Sequence, residues 1–116
     1  MKTIVLKFGG TSVGSIDRIK KVSNIILGYK KRKNRVIVVS SAMSGVTNDL
    51  IKKSKLISNQ FNEAEYDVLV STGEQVACAL IAGRLNHIGL NLCKGLNLPF
   101  GSHHSSAIFE NFSISL

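Results

Sequence analysis

The sequence predicts an α/β fold built on an open, mainly parallel sheet with helices packed against it. Three observations carry that expectation. Two short apolar runs, "TIVLKF" at residues 3–8 and "NRVIVVSS" at residues 34–41, read as buried strands. Between them Ile16, Ile19, Val22, Ile26 and Tyr29 recur at helical spacing. Each run gives way to small residues, "GGTSVG" at 9–14 and "SSAMSGVTN" at 40–48. Strand, helix, strand in this order is a right-handed crossover unit, which makes the two strands parallel.

The first run is apolar at most positions, so helices are expected on both faces of its sheet. Ser15 is placed to cap the first helix, with Asp17 and Arg18 in its first turn. After the second turn, Leu50, Ile51, Ser54 and Ile57 fall on one face of a second helix. "SNQFNEAE" at 58–65 is polar, a loop or a helix start. From Tyr66 to His87 the period is helical again, with "STGE" in its midst. Gly73 there costs helix stability, so it marks a break or a close packing contact. Beyond Gly89 the signals fade. "LNLCKGLNLPF" reads as a short strand and a turn around Pro99, and the last stretch has no clear period.

The chain has 116 residues, 44% of them hydrophobic, enough for one core and one domain. The N-terminus lacks a basic-then-apolar signal segment, and no apolar run reads as long enough to span a bilayer. A cytoplasmic protein without a membrane partner is the expectation. Cys78 and Cys93 are too few and too far apart for a disulfide framework or a zinc site, and Cys78 reads as a buried thiol on a helix. His103 and His104 are adjacent and cannot face one metal from one side of an element, so no metal site is expected there. The formal net charge is +8, and over half of the basic residues fall between Arg18 and Arg35. Nucleic acid is one partner for such a patch. No aromatic platform or nucleic-acid motif accompanies it, so a solvated helix end that complements the helix dipole is the better reading. The patch also helps attract an anionic ligand.

The chemistry concentrates in "KFGGTSVG", Lys7 to Gly14. It is not a P-loop, where the lysine comes after the last glycine. Nor is it a dinucleotide fingerprint, because Thr11 stands where the second glycine belongs. Its ingredients are still those of a phosphate site: backbone amides, two hydroxyls and a cation. In an open parallel sheet, ligands bind at the carboxyl ends of the strands. Residues Lys7 to Ser12 and Ser41 to Thr47 therefore belong on one edge. Glu74 adds a carboxylate that repels phosphate and attracts an ammonium group. Each residue also has a plain structural reading. Gly9 and Gly10 make a tight turn, Thr47 caps a helix, and Glu74 is a solvated helix residue. Lys7 is the hardest to explain so, because a lysine in a buried strand is costly without an anionic partner.

Three segments in this order, "KFGGTSVG", "SSAMSGVTN" and "DVLVSTGEQVACALIAGRLNHIG", resemble the aspartate kinases of the amino acid kinase family. The resemblance covers Met1 to about Gly89. It implies an open three-layer sandwich, and transfer of the ATP γ-phosphoryl group to the side-chain carboxylate of L-aspartate. The product, 4-phospho-L-aspartate, leads towards lysine, threonine, methionine and diaminopimelate. It further implies that Lys7 is catalytic and stabilises charge on the phosphates. Phe8, Gly9 and Gly10 line ATP, while Ser41 and Thr47 hold aspartate by their hydroxyls and Glu74 takes its ammonium group. Magnesium accompanies the ATP, although no ligand cluster for it stands out in the sequence.

The family's later segments have no counterpart here. Aspartate kinases are several times longer. "LNLCKGLNLPF" only weakly echoes the family segment beyond the third motif, and the chain has no tryptophan. Residues 1–89 are thus expected to be the N-terminal part of a kinase domain and residues 90–116 a divergent or truncated tail. A homo-oligomer or a complementing kinase segment is expected beside it, and the isolated chain is expected to be a poor catalyst. The alternative is a non-catalytic remnant or subunit that binds a phosphate ligand or a partner protein.

Overall fold

A computed structural model describes residues 1–90 and the strand at residues 112–115. The order is β1 (Thr3–Phe8), α1 (Ile16–Lys31), β2 (Arg35–Ser40), α2 (Val46–Ile57), α3 (Glu63–His87) and β3 (Phe112–Ser115). The fold is α/β, as the alternating periods predict. β1 and β2 pair in parallel, from Thr3 with Arg35 to Phe8 with Ser40. β3 pairs antiparallel on the other side of β2, from Ser40 with Phe112 to Ile37 with Ser115. Sequence periodicity predicts no strand at this place, because four residues are too few to establish a period. The strand and turn expected around Pro99, Cys93 and the two adjacent histidines lie outside the described residues.

The core forms between one face of the sheet and two helices. Val36 and Val38 of β2 meet Ile19, Val22 and Ile26 of α1, and Cys78, Ile81 and Leu85 of α3. Each large aliphatic side chain buried this way contributes about 1.5–3 kcal/mol relative to an exposed one. Ser23, inside this face of α1, donates its hydroxyl to the Ile19 carbonyl at 2.9 Å and so enters the core without an orphaned polar group. Ser15 caps α1 as expected, its oxygen accepting from the Arg18 N–H at 3.2 Å.

Several local expectations change. Among the described residues α1 and α3 pack on one face of the sheet. Val5 on the other face is 61% exposed, and Lys7 is exposed beside it. Lys7 therefore does not interrupt a buried strand; its charge meets solvent. Ile16 and Ile57 share the helical period yet are 52% and 78% exposed, because they fall at the first and last positions of their helices, beyond the packed turns. α3 runs unbroken through Gly73, which takes the close-packing role instead. At 25 residues α3 is also long and apolar enough to cross a bilayer, which corrects the reading that no such run exists. The period had hidden it, because the apolar positions of α3 are spread around its circumference. One side of it is core to this domain, with Ala77, Ile81 and Leu85 fully buried.

The basic end of α1 is an ordinary helix terminus. Lys30 and Lys31 lie in its last turn, the Asn34 side-chain amide donates to the Tyr29 carbonyl at 3.0 Å, and the Arg32 guanidinium sits 5.6 Å from the Tyr29 ring centroid.

Candidate active site at the carboxyl edge of the sheet

Both small-residue turns leave the same edge of the parallel pair, and backbone bonds tie them together. The Ser41 N–H donates to the Phe8 carbonyl at 3.0 Å, and the Ser44 N–H to the Gly10 carbonyl at 3.1 Å. The first turn closes on itself through a bond from the Ser12 N–H to the Gly9 carbonyl at 3.0 Å. Approach at Gly10 is so close that a Cβ there would stand 2.9 Å from the Ala42 carbonyl oxygen. Gly9 differs, with nothing within 4 Å of the same position. One glycine joins two turns, and the other leaves open space beside the backbone.

The third segment meets the second turn from above. A Cβ on Gly73 would lie 3.1 Å from Ala42 Cβ and 3.1 Å from Val46 Cγ1. Gly73 thus lets α3 seat on the turn that leads into α2. That contact buries its neighbour: Glu74 is only 7% exposed, and its Oε2 has no hydrogen-bond partner. Desolvation pushes the Glu74 carboxyl above its ordinary value, partly offset by a backbone hydrogen bond. One helical turn on, burial and the nearby Glu74 carboxylate push the Cys78 thiol up to about 11. A buried carboxylate oxygen that accepts no hydrogen bond is costly, and such a group calls for a cation.

The start of α2 has the opposite character. Its N-cap is Gly45, at φ 83°, and no side chain caps it. Thr47 therefore does not cap the helix; it is the second helical residue, half-buried, because the left-handed Gly45 takes the boundary position. Uncapped amides at a helix start favour an anion. Ser41 is half-buried at the exit of β2, next to Ser40, whose hydroxyl donates to the Ser41 carbonyl at 3.0 Å.

The structure therefore brings together Gly10, the 41–47 turn and the Gly73–Glu74 step. It does not bring Lys7 against Glu74. Lys7 belongs to the row of β1 that faces away from the helices, and Phe8 to the row that faces them. Among the described residues the single ion pair is Lys53 with Asp49, at 2.9 Å on the surface of α2, so Lys7 keeps its charge unpaired there. Sequence reasoning missed the structural parts of Ala42, Ser44 and Gly45. The "SG" pair at 44–45 was the available signal for a left-handed turn position. No group of three His, Cys, Asp or Glu side chains gathers among the described residues.

Comparison with known proteins bears on the family and the fold. The pattern of the amino acid kinase family matches residues 2–112. An aspartokinase of Geobacillus stearothermophilus is 49% identical over 89 residues, which are 77% of this chain and 22% of that protein. An aspartokinase of Rickettsia felis is 42% identical over 123 aligned residues, covering 100% of this chain and 31% of its own length. The crystal structure of aspartate kinase from Synechocystis superposes with a TM-score of 0.76 at 41% identity, over 78% of this chain and 16% of that one. E. coli aspartokinase III, solved with aspartate and ADP, shares the fold at a TM-score of 0.60 and 21% identity, over 78% of this chain and 30% of that one. The chain thus spans between 22% and 31% of the length of the two curated relatives. On this sequence match and this shared fold, the chain belongs to the amino acid kinase family.

Proposed function

We propose that these residues form the aspartate-facing and phosphate-facing part of an aspartate kinase centre. The reaction is attack of a side-chain carboxylate oxygen of L-aspartate on the γ-phosphorus of ATP. The bond to the β–γ bridging oxygen breaks, ADP leaves, and 4-phospho-L-aspartate forms. The observation that carries the proposal is the buried, unpartnered Glu74 carboxylate, seated by Gly73 on the turn that also holds Ser41 and Thr47. An amino acid's ammonium group supplies the missing cation, and its bound charge restores the ionised state that burial opposes.

The other roles rest on charge. The Ser41 and Thr47 hydroxyls and the uncapped start of α2 suit the α-carboxylate of the same amino acid. The open space at Gly9 admits a phosphate close to the backbone, and Lys7 neutralises charge as the phosphoryl group transfers. Separation of Lys7 from Glu74 is what this chemistry needs. A cation bonded to Glu74 would be lost to the phosphates, and a carboxylate beside the phosphates would repel them. E. coli aspartokinase III has been solved with aspartate and ADP, which supports this pairing of ligands. Magnesium would arrive with the nucleotide; the described side chains offer it no ligand set, and no step is assigned to it. A cytoplasmic setting and a role in amino-acid biosynthesis belong to the same proposal.

The test separates binding from turnover. L-aspartate titrated into the 116-residue chain is followed by NMR chemical shifts. Shifts centred on 41–47 and on Glu74, lost in Glu74→Gln, are expected. For turnover, the remaining kinase segment of the Geobacillus relative is supplied as a second polypeptide, with ATP, magnesium and aspartate. Hydroxylamine then traps the acyl phosphate, and Lys7→Ala should abolish the signal. Aspartate binding that is indifferent to Glu74→Gln sinks the proposal.

A further inference from the structure

Ser40 is the last residue of β2 and is fully buried. It continues the row of Val36 and Val38 that faces the helices, where the surroundings suit an aliphatic side chain. A hydroxyl in such a place is costly unless it is bonded. The buried serines among the described residues meet this cost in two ways. Ser23 and Ser54 donate to carbonyls of their own helices, Ile19 at 2.9 Å and Ile51 at 2.7 Å. Ser40 instead donates forward, to the carbonyl of Ser41 at 3.0 Å, the first residue of the turn. Among the described residues no backbone N–H donates to that carbonyl. The Ser41 N–H is already bonded to the Phe8 carbonyl at 3.0 Å. Both polar backbone groups of Ser41 are therefore held, its N–H by β1 and its carbonyl by the end of β2.

The direction of the second bond matters for charge. The oxygen of a peptide carbonyl is the negative end of a dipole, and at this edge it would repel a bound carboxylate. We propose that Ser40 is a positioning residue, whose hydroxyl keeps the Ser41 carbonyl turned to the buried side so that the Ser41 hydroxyl meets the α-carboxylate of aspartate. This rests on the reading of Ser41 given under the proposed function. Ser40 is itself fully buried and does not touch the substrate; it acts through its neighbour. With the Ser40 hydroxyl removed, the peptide between Ser41 and Ala42 loses the bond that fixes its carbonyl. Rotation of that peptide then carries its negative end toward the α-carboxylate. The rest of the amino acid does not sense the change, because its ammonium group belongs to Glu74 on α3 and its side-chain carboxylate to the phosphates.

β-Alanine separates these parts. It has the ammonium group and the side-chain carboxylate of aspartate and lacks the α-carboxylate. NMR titration of the 116-residue chain with each ligand compares the parent, Ser40→Ala and Ser40→Thr. Ser40→Ala should weaken aspartate at least about threefold, the worth of one hydrogen bond, and leave β-alanine unchanged. Ser40→Thr keeps the hydroxyl and should restore aspartate. The Ser41 carbonyl carbon resonance reads the contact without any ligand; it should move in Ser40→Ala and return in Ser40→Thr. That resonance in Ser40→Ala decides the matter if the larger threonine does not fit. A resonance unmoved in Ser40→Ala overturns the proposal. So does a loss shared equally by aspartate and β-alanine, which marks a merely structural role. Aspartate binding that needs Glu74 but is indifferent to Ser40→Ala overturns this inference and leaves the proposed function standing. A parent chain that binds no aspartate overturns both.

Discussion

Gly10→Ala tests whether the two edge turns are held by contact or only by chain connectivity. The added Cβ would stand 2.9 Å from the Ala42 carbonyl oxygen and 3.5 Å from the Ser44 nitrogen. Ordinary carbon–oxygen contacts are about half an ångström longer, and the obstacle is backbone, which cannot rotate aside. Relief requires the turns to part, which stretches the bond from the Ser44 N–H to the Gly10 carbonyl beyond its 3.1 Å. Overpacking of this kind costs about 1–3 kcal/mol. In a domain of this size each kcal/mol lowers Tm by about 4–8 °C, so a fall of about 4–24 °C is expected. The assay is thermal unfolding followed by circular dichroism. Gly9→Ala is the control, since nothing lies within 4 Å of its Cβ position, and it should stay within about 0.5 kcal/mol of the parent. Its penalty should appear in ATP binding instead, where the open space is used. Equal Tm values for Gly10→Ala and Gly9→Ala would refute the claim that Gly10 joins the turns.

Other changes read other parts of the structure. Burial raises the folded-state pKa of Glu74 above its ordinary 4.5, so its contribution to stability is complete below that pH and is lost as pH rises through the folded value. Glu74→Gln should therefore gain on the parent chain as pH rises above 4.5 in urea unfolding, while losing aspartate binding; a difference independent of pH would show that the carboxylate is not desolvated. Ser15→Ala removes the cap of α1 and should cost about 1 kcal/mol by the same measurement, whereas an unchanged midpoint would mean that the Arg18 N–H finds another acceptor.

The parallel pair and α1 were legible because their signals are local. Six-residue apolar runs, a helical period and a serine at the right boundary each state one element without reference to the rest of the chain. β3 was not legible, since a four-residue strand gains its identity from the β2 edge it pairs with. Gly73 shows the limit more sharply. Its helix cost pointed equally to a break and to close packing, and only the positions of Ala42 and Val46 decide between them. The exposure of Ile16 and Ile57 obeys the same rule, because periodicity gives the face and tertiary contacts give the length of it that is covered.

The candidate site inverts the sequence argument for two charges. Lys7 looked costly because it interrupts an apolar strand, whereas Glu74, read as the ligand of an ammonium group, had a solvated helix residue as its plain alternative. In the fold Lys7 is exposed and Glu74 is 7% exposed with an oxygen unpartnered. The cost therefore moves to the carboxylate, and so does the strongest structural reason to expect a ligand. Nothing in the local sequence could place it there. Glu74 becomes buried because its neighbour is a glycine that lets α3 descend onto the 41–47 turn, and with a side chain at 73 the helix would stand off and the carboxylate would be wetted. Gly73→Ala accordingly carries a double expectation. The Cβ contacts at 3.1 Å are with Val46 Cγ1 and with Ala42 Cβ, which is fixed to the backbone, so α3 must move off by a few tenths of an ångström; that overpacking costs about 1–3 kcal/mol and is offset by about 1 kcal/mol of helix propensity, so global stability should fall by no more than about 2 kcal/mol. The separation of α3 from the turn should nevertheless admit water to Glu74, lower its pKa towards 4.5 and weaken aspartate binding. Carboxyl titration by NMR measures the first and aspartate titration the second. A Glu74 that titrates as in the parent chain, with aspartate affinity intact, would show that burial of the carboxylate does not depend on this glycine.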